Sequence, residues 1–357
     1  MAGPVLPQLR VVAIGGGTGL STLLLGLKRY VATPGSPTGF DRRGGSRSRN
    51  TKLCPDAPCL IRELAAVVTV TDDGGSSGRL REELQMLPPG DIRNCMVALS
   101  EDEHLLSRLF QYRFAHGELG GHSFGNLFLA ALNGISGDFA QAVQISSQIL
   151  ATRGRIYPAT TANATLTAQM DDGSVVRGET NITASKRSIV ELMLDPPTAG
   201  PLPETLAAIA NADLITLGPG SLYTSLITNL LVRGIPEAIA KSKATKVYIC
   251  NLMTQANESL GLTASEHIEK ILNHCGASGE RLFDYALINT APIRQETLVK
   301  YQREGQAPIE ADVGRVRALG VEPVEGNFVH EGEVLRHDHE AVAKKLLELS
   351  VNARPKG

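Results

Sequence analysis

Three times along this chain an apolar run ends in a glycine-rich turn and gives way to apolar residues at helical spacing. No other feature limits the fold as much. Leu9 to Ile14 runs into Gly15, Gly16, Gly17, Thr18 and Gly19, after which Leu20, Leu23, Leu24 and Leu27 share one helical face. Leu64 to Val70 runs into Thr71, Asp72, Asp73, Gly74, Gly75, Ser76, Ser77 and Gly78, with a helix expected from Arg79 to Gln85. Leu214 to Leu217 runs into Gly218, Pro219, Gly220 and Ser221, then into an apolar helix through Leu231. Later strands are expected at Lys246 to Cys250, near Ala286 to Ile288 and near Val321 to Val324. Strands that alternate with helices specify an α/β fold, a mainly parallel sheet with helices on both faces. Ligands of such sheets gather at the carboxyl ends of the strands, where these turns lie.

Residues 91 to 150 lack any period-two stretch and read as a helical segment, including Asp91 to Leu99, His104 to Gln111 and Ser123 to Leu132. Alternation returns between Thr165 and Thr180 around Asp171-Asp172-Gly173, which predicts a surface β-hairpin. Residues 33 to 58 are rich in Pro, Gly, Ser and Arg and too poor in apolar residues to offset the entropy of ordering. They are expected to form a disordered insertion within one domain spanning residues 1 to 357.

Composition narrows the partners. With 42% apolar residues, 20% charged residues and no Trp, the 357-residue chain has a globular balance. A net charge of −2 argues against nucleic acid, whose binding needs many Lys and Arg contacts to phosphate. The five cysteines are scattered without a CxxC pair, which fits reduced thiols in a cytoplasm. Neither a signal peptide nor a membrane span is expected. A homodimer is possible.

The turn Gly15 to Gly19 opens a helix, so its free amides and the helix dipole suit a diphosphate. It is neither a Walker A loop, since no Lys follows, nor a GxGxxG fingerprint, since Leu20 stands at the last glycine. In the second turn Asp72 and Asp73 suit Mg²⁺ or ribose hydroxyls, while Ser76, Ser77, the glycine amides and Arg79 suit phosphate oxygens. No cofactor besides this possible Mg²⁺ is implied. Gly218, Gly220 and Ser221 repeat the strand-to-helix logic, and Tyr223 could add an aromatic face. Gly121-His-Ser-Phe-Gly125 fits GxSxG, but no strand precedes it, so Ser123 reads as a helix cap and not as a nucleophile. His122 fits a ligand contact or an ordinary hydrogen-bonded histidine equally well.

Taken in order, Gly15-Gly-Gly-Thr-Gly-Leu-Ser21, Thr71-Asp-Asp-Gly-Gly-Ser-Ser-Gly-Arg-Leu-Arg81, Pro89-Gly-Asp-Ile-Arg-Asn94, Gly121-His-Ser-Phe-Gly-Asn126, Leu217-Gly-Pro-Gly-Ser-Leu-Tyr-Thr-Ser225 and Asn251-Leu-Met-Thr-Gln255 resemble the YvcK and CofD superfamily. The third turn and Met253-Thr-Gln255 resemble the YvcK branch of gluconeogenesis factors more than the 2-phospho-L-lactate transferase branch. Ala256-Asn-Glu-Ser259 departs from the usual Pro-Gly-Glu-Thr, although Asn257 can still take a left-handed turn. The resemblance implies a Rossmann-like three-layer core and a nucleotide-sugar ligand, with UDP-N-acetylglucosamine as first candidate. It also implies a role in cell shape during gluconeogenic growth. Through its motifs, Asp91, Arg93, Asn94, His122, Ser123 and Asn126 join the expected ligand-binding residues. Two readings follow. One is a ligand-sensing regulator without a catalytic pair. The other is a transferase moving a phospholactyl-type group from an activated guanosine nucleotide to a deazaflavin, with Asp72 and Asp73 placing Mg²⁺ on the departing phosphate.

Overall fold

The computed structural model describes residues 8–32, 59–101, 105–256, 258–276 and 281–353. The expected insertion at 33–58, His104 and Asn257 lie outside these residues. The strands are β1 Leu9–Gly15, β2 Ile61–Val68, β3 Arg155–Pro158, β4 Thr165–Met170, β5 Val175–Arg177, β6 Ile189–Asp195, β7 Leu214–Leu217, β8 Thr245–Ile249, β9 Tyr285–Asn289, β10 Glu322–Gly326, β11 Val329–Glu331 and β12 Leu335–His337. Seven of them form one parallel sheet in the order β10-β9-β8-β7-β1-β2-β3. The chain steps outward from β1 to β2 and β3, then returns to the other side of β1 and steps outward again through β7, β8, β9 and β10. Strand order therefore reverses between β1 and β7. At such a switch point the two flanking connections leave in opposite directions and open a crevice at the strands' carboxyl ends.

The central strands are apolar almost throughout because both faces of the sheet are covered. In β1, Val12 and Ile14 enter one hydrophobic cluster while Leu9, Val11 and Ala13 enter the other, as the alternation of a pleated strand requires. The first helices are α1 Gly17–Lys28, α2 Gly75–Leu84, α3 Gly90–Leu99, α4 Leu105–Gln111, α5 Phe124–Ser136, α6 Phe139–Ile149 and α7 Glu179–Ala184. The four leucines foreseen on α1 are all buried. The segment from 91 to 150 is helical, as its lack of alternation indicates, and α2 begins inside the glycine turn, earlier than Arg79.

Three expectations need correction. The hairpin of β4 and β5 is not a surface appendage, since β6 pairs with the other edge of β4 and makes a three-stranded antiparallel sheet. Leu166, Ala168 and Met170 from its inner face share a core cluster with Ile215 and Leu217 of β7. A register shift at Gln169/Met170 breaks the alternation that would have revealed β6. After β7 the chain does not enter a plain α-helix, because Leu222–Ile227 forms a π-helical turn that continues into Thr228–Leu230. Cys59 is disulfide-bonded, whereas Cys95 and Cys250 are free thiols, and these two and Cys275 are buried. Among the described residues no helix is long and apolar enough to cross a membrane.

Candidate functional site

The first glycine turn joins β1 to α1 without slack. Gly16 precedes the helix in extended conformation with no side-chain cap, and Gly17 takes the left-handed φ of +61°. A Cβ on Gly16 would stand 2.5 Å from Thr69 Cγ2 and 2.9 Å from Asp91 Oδ2, and one on Gly19 would stand 2.3 Å from the carbonyl oxygen of Pro219. Glycine at position 19 thus lets the turn after β1 touch the turn after β7 across the switch point. The first amides of a helix have no partner within it. That of Gly17 donates to Asp91 Oδ2 at 2.7 Å, while the next two residues, Thr18 and Gly19, line the crevice between the turns.

The third turn is held by the segment that follows β8. Asn251 accepts the Gly220 N–H at 3.2 Å and donates its side-chain amide to the Gly220 carbonyl at 2.7 Å. Gln255 donates to Ser221 Oγ at 2.9 Å. The Glu258 carboxylate accepts the N–H groups of Tyr223 at 3.0 Å and Thr224 at 3.4 Å and the Thr224 hydroxyl at 2.9 Å, so it occupies the N-terminus of the π-helical turn. Burial raises the pKa of Glu258, and the hydrogen bonds from Thr224 and Tyr223 oppose that shift. Tyr223 does not offer its ring to a ligand. It is buried, its hydroxyl donates to the Ile189 carbonyl and its ring packs edge-on against His274.

Between the two turns lies a crevice of about 230 Å³. Gly16, Gly17, Thr18, Gly19, Gly220 and Ser221 form one wall, whereas Gly15 and Gly218 sit behind it at the strand ends. The opposite wall was not foreseen as part of the site: Tyr301, Gln306, and Arg336 and His337 of β12. Arg336 is exposed, and the Tyr301 hydroxyl accepts the Leu335 N–H at 2.9 Å, which ties β12 to the helix Gln295–Gln302. The imidazole of His337 hydrogen-bonds the Cys250 carbonyl at 3.0 Å, and burial lowers its pKa to about 4, so it is neutral near pH 7. A larger hollow of about 640 Å³ opens at the other end of β1 and β2 around Arg10 and Arg62. It lies at the amino ends of the strands, where no helix N-terminus of the sheet's connections points.

The residues after β2 form a separate polar cluster that meets the crevice through α3. Asp91 faces Gly17 from the first turn of α3, and burial raises its pKa to about 6, with the Gly17 hydrogen bond opposing and Asp72 adding to the rise. Two residues on, Arg93 donates to Ser123 Oγ at 2.6 Å, Asn126 Oδ1 at 3.1 Å and Asn94 Oδ1 at 2.7 Å. Ser76 Oγ lies 3.0 Å from both His122 Nδ1 and the side-chain nitrogen of Asn126. Burial, then the charge of Arg79, lowers the pKa of His122. Ser77 Oγ and Asp72 Oδ2 crowd the position where Gly90 lacks a side chain. Ser123 caps α5 by accepting the Asn126 N–H at 3.3 Å, the role expected of it.

Three anticipated ligand groups make contacts within the protein. Arg79 donates to the Gly120 carbonyl at 2.8 Å. Asp73 accepts the N–H and hydroxyl of Thr180 at 2.8 and 2.6 Å, at the start of α7, while Asp72 accepts the Gly74 N–H at 2.9 Å. Among the described residues no group of three or more His, Cys, Asp or Glu could hold a metal ion. Gly75 adopts a φ of +48°, so the turn Gly74-Gly75 serves backbone geometry.

A family model described as 2-phospho-L-lactate transferase CofD matches residues 11–329. A Halalkalibacterium halodurans protein named gluconeogenesis factor is 44% identical over 345 residues, covering 96% of this chain and 97% of its own. A Bacillus subtilis protein of the same name is 43% identical over 342 residues, covering 95% and 98%. A solved Bacillus halodurans structure described as a member of the UPF0052 family superposes with a TM-score of 0.85 at 43% identity, covering 96% of this chain and 100% of that one. With its switch-point crevice, its glycine turns and relatives aligned along nearly its whole length, the chain belongs to the CofD family, beside the members named gluconeogenesis factor.

Proposed function

We propose that the chain is a regulator that binds a nucleotide sugar, with UDP-N-acetylglucosamine as first candidate, in the crevice between the turns Gly15 to Gly19 and Gly218 to Ser221. The observation that carries this reading is the contact between Gly19 and Pro219, which brings two strand-to-helix turns of a doubly wound sheet together. Thr18, Gly19 and Arg336 all line this crevice, and helix-start amides and a guanidinium are groups suited to a diphosphate. Asn251 and Gln255 fix the third turn so that Ser221 can meet a ribose or sugar hydroxyl. Glu258 fills the N-terminus after β7, whereas at the α1 N-terminus Asp91 takes the Gly17 N–H, and the reading assigns the anion to the next amides, those of Thr18 and Gly19.

Binding without turnover is favoured by the chemistry of the crevice. Its one imidazole, His337, is neutral and engaged with a carbonyl, a poor general acid or base near pH 7. The relatives' shared name, gluconeogenesis factor, supports a role in gluconeogenesis. The family description supports a second reading, a transferase of phospholactyl-type groups.

Titration calorimetry with UDP-N-acetylglucosamine, with and without Mg²⁺ and beside GTP and NAD, tests the proposal. Saturable binding of the sugar nucleotide alone, with the compound recovered intact, is the expected result. Binding of GTP with release of free nucleotide in the presence of a hydroxyl acceptor would instead establish the transferase.

A further inference from the structure

Among the described side chains that line the crevice, Arg336 is the one that carries a charge, because His337 is neutral near pH 7. The start of α1 adds a partial positive charge of about one half through the helix dipole. Residues 15 to 24 hold no Lys or Arg, whereas a glycine turn that takes free nucleotides ends in a lysine. Against this small positive total stands Asp91. Its Oδ2 accepts the Gly17 N–H at 2.7 Å, and a Cβ on Gly16 would stand 2.9 Å from the same oxygen, so the carboxylate lies against the turn itself. The amides of Thr18 and Gly19, to which the proposed diphosphate is assigned, follow within about 3 Å of helix axis. A phosphate held there is a near neighbour of the carboxylate. Arg93, two residues on in α3, gives its hydrogen bonds to Ser123, Asn126 and Asn94 and acts on Asp91 only through space, while Asp72 faces it with a second negative charge.

We propose that Asp91 is a specificity determinant of the crevice: its carboxylate admits a diphosphate esterified at both ends, as in a nucleotide sugar, and rejects free nucleoside di- and triphosphates. The inference rests on the diphosphate ligand proposed above. An esterified diphosphate carries one negative charge on each phosphorus. A free terminal phosphate carries about 1.5 to 2, and each charge added beside an ionised carboxylate weakens binding by about tenfold near a protein surface. Arg336 and one helix start can balance the first of these ligands and not the second. Selectivity of this kind comes from weakening the wrong ligand, without new contacts to the right one. A side chain that only caps α1 has no need of a charge, since the oxygen of Asn or Ser satisfies an N–H at a helix start about as well.

Calorimetric titration of the full chain and its Asp91→Asn variant with UDP-N-acetylglucosamine, UDP and UTP, at pH 7.5 and without divalent cations, tests the assignment. Asp91 is ionised at that pH, its pKa being about 6, and Asn keeps an oxygen for the Gly17 N–H. The wild type is expected to bind the sugar nucleotide at least about 30-fold more tightly than UDP or UTP. Asp91→Asn is expected to shift that ratio toward UDP by about tenfold, and toward UTP by more. A purely structural Asp91 would change all three affinities alike, so an unchanged ratio in a folded variant overturns the assignment. Thermal melts establish folding, and Asp91→Ser, which also lacks the charge, should give the same shift. A wild type that prefers UDP or UTP to the sugar nucleotide overturns the assignment as well. If none of the three ligands binds either protein, the nucleotide reading itself falls and the charge filter falls with it, whereas binding with an unchanged ratio removes the filter alone.

Discussion

The carboxylate of Asp91 accepts the backbone N–H of Gly17 at 2.7 Å, so the first turn of α3 places an acid at the N-terminus of α1. That contact satisfies one of the amides left open by the helix and leaves the next two to the crevice. It also sets a negative charge beside the place where a ligand's phosphate would lie. The charge state of Asp91 and the behaviour of the crevice are therefore linked.

Burial holds the Asp91 pKa at about 6, against 3.8 for an unperturbed carboxyl. The native state consequently takes up a proton at a higher pH than the unfolded chain does. Stability from this group is fully present below the unfolded value and is lost as pH rises through 6, a change of at most about 3 kcal/mol at 1.36 kcal/mol per pKa unit. Asp91→Asn keeps an oxygen for the Gly17 N–H and removes the titration. Urea unfolding between pH 4.5 and 7.5 should show the variant gaining on the wild type as pH rises, and parallel curves would place the titration elsewhere.

Gly19→Ala should separate the two turns. The added carbon would meet the Pro219 carbonyl at 2.3 Å, a backbone group that cannot swing aside as a side chain would. The expected cost is about 1–3 kcal/mol of stability, as for overpacking of a tight contact, together with loss of measurable sugar-nucleotide binding. A thermal melt and a titration on the same sample give both values. Unchanged binding would move the ligand away from this contact.

Arg336 and Arg79 should behave differently. Arg336 faces the crevice, whereas Arg79 is held by the Gly120 carbonyl. Arg336→Ala is expected to weaken the diphosphate ligand by about 10- to 100-fold, the range for a hydrogen bond to a charged group. Arg79→Ala should leave affinity within about twofold. Calorimetry on the two proteins decides the matter, and the opposite order would place the phosphates in the cluster after β2.

Glu258→Ala should loosen the turn after β7, because three donors of Tyr223 and Thr224 lose their acceptor. A stability loss of about 1–3 kcal/mol is expected from donors left unmade. Glu258→Gln retains one acceptor oxygen and should recover part of it. Denaturant midpoints at pH 7 measure both, and a Gln variant no better than Ala would mean that the shape of the segment matters and not its acceptor.

The glycine turns and the strands before them could be read from the chain because each is local: an apolar run, a turn that only glycine tolerates, and leucines at helical spacing. The same locality explains Ser123, whose capping role needs only the helix that follows it. The contacts of Asp73 and Arg79 with Thr180 and Gly120 could not be read from the chain, because those partners come from a different helix and a distant loop. Tyr301, Arg336 and His337 carry no motif at all: Arg336 and His337 reach the site on the hairpin of β11 and β12, and Tyr301 on the helix Gln295–Gln302, which it ties to β12.

By itself, then, the sequence determined the parallel α/β core, the position of the turns at strand ends and the helical segment, since these depend on periodicity and backbone freedom within a few residues. Tertiary structure alone decided which turns meet, which carboxylates are spent on neighbouring amides and which C-terminal side chains close the crevice. Those outcomes depend on strand order and on burial, which bring together residues far apart in the chain and set the charge of groups such as Asp91 and His337.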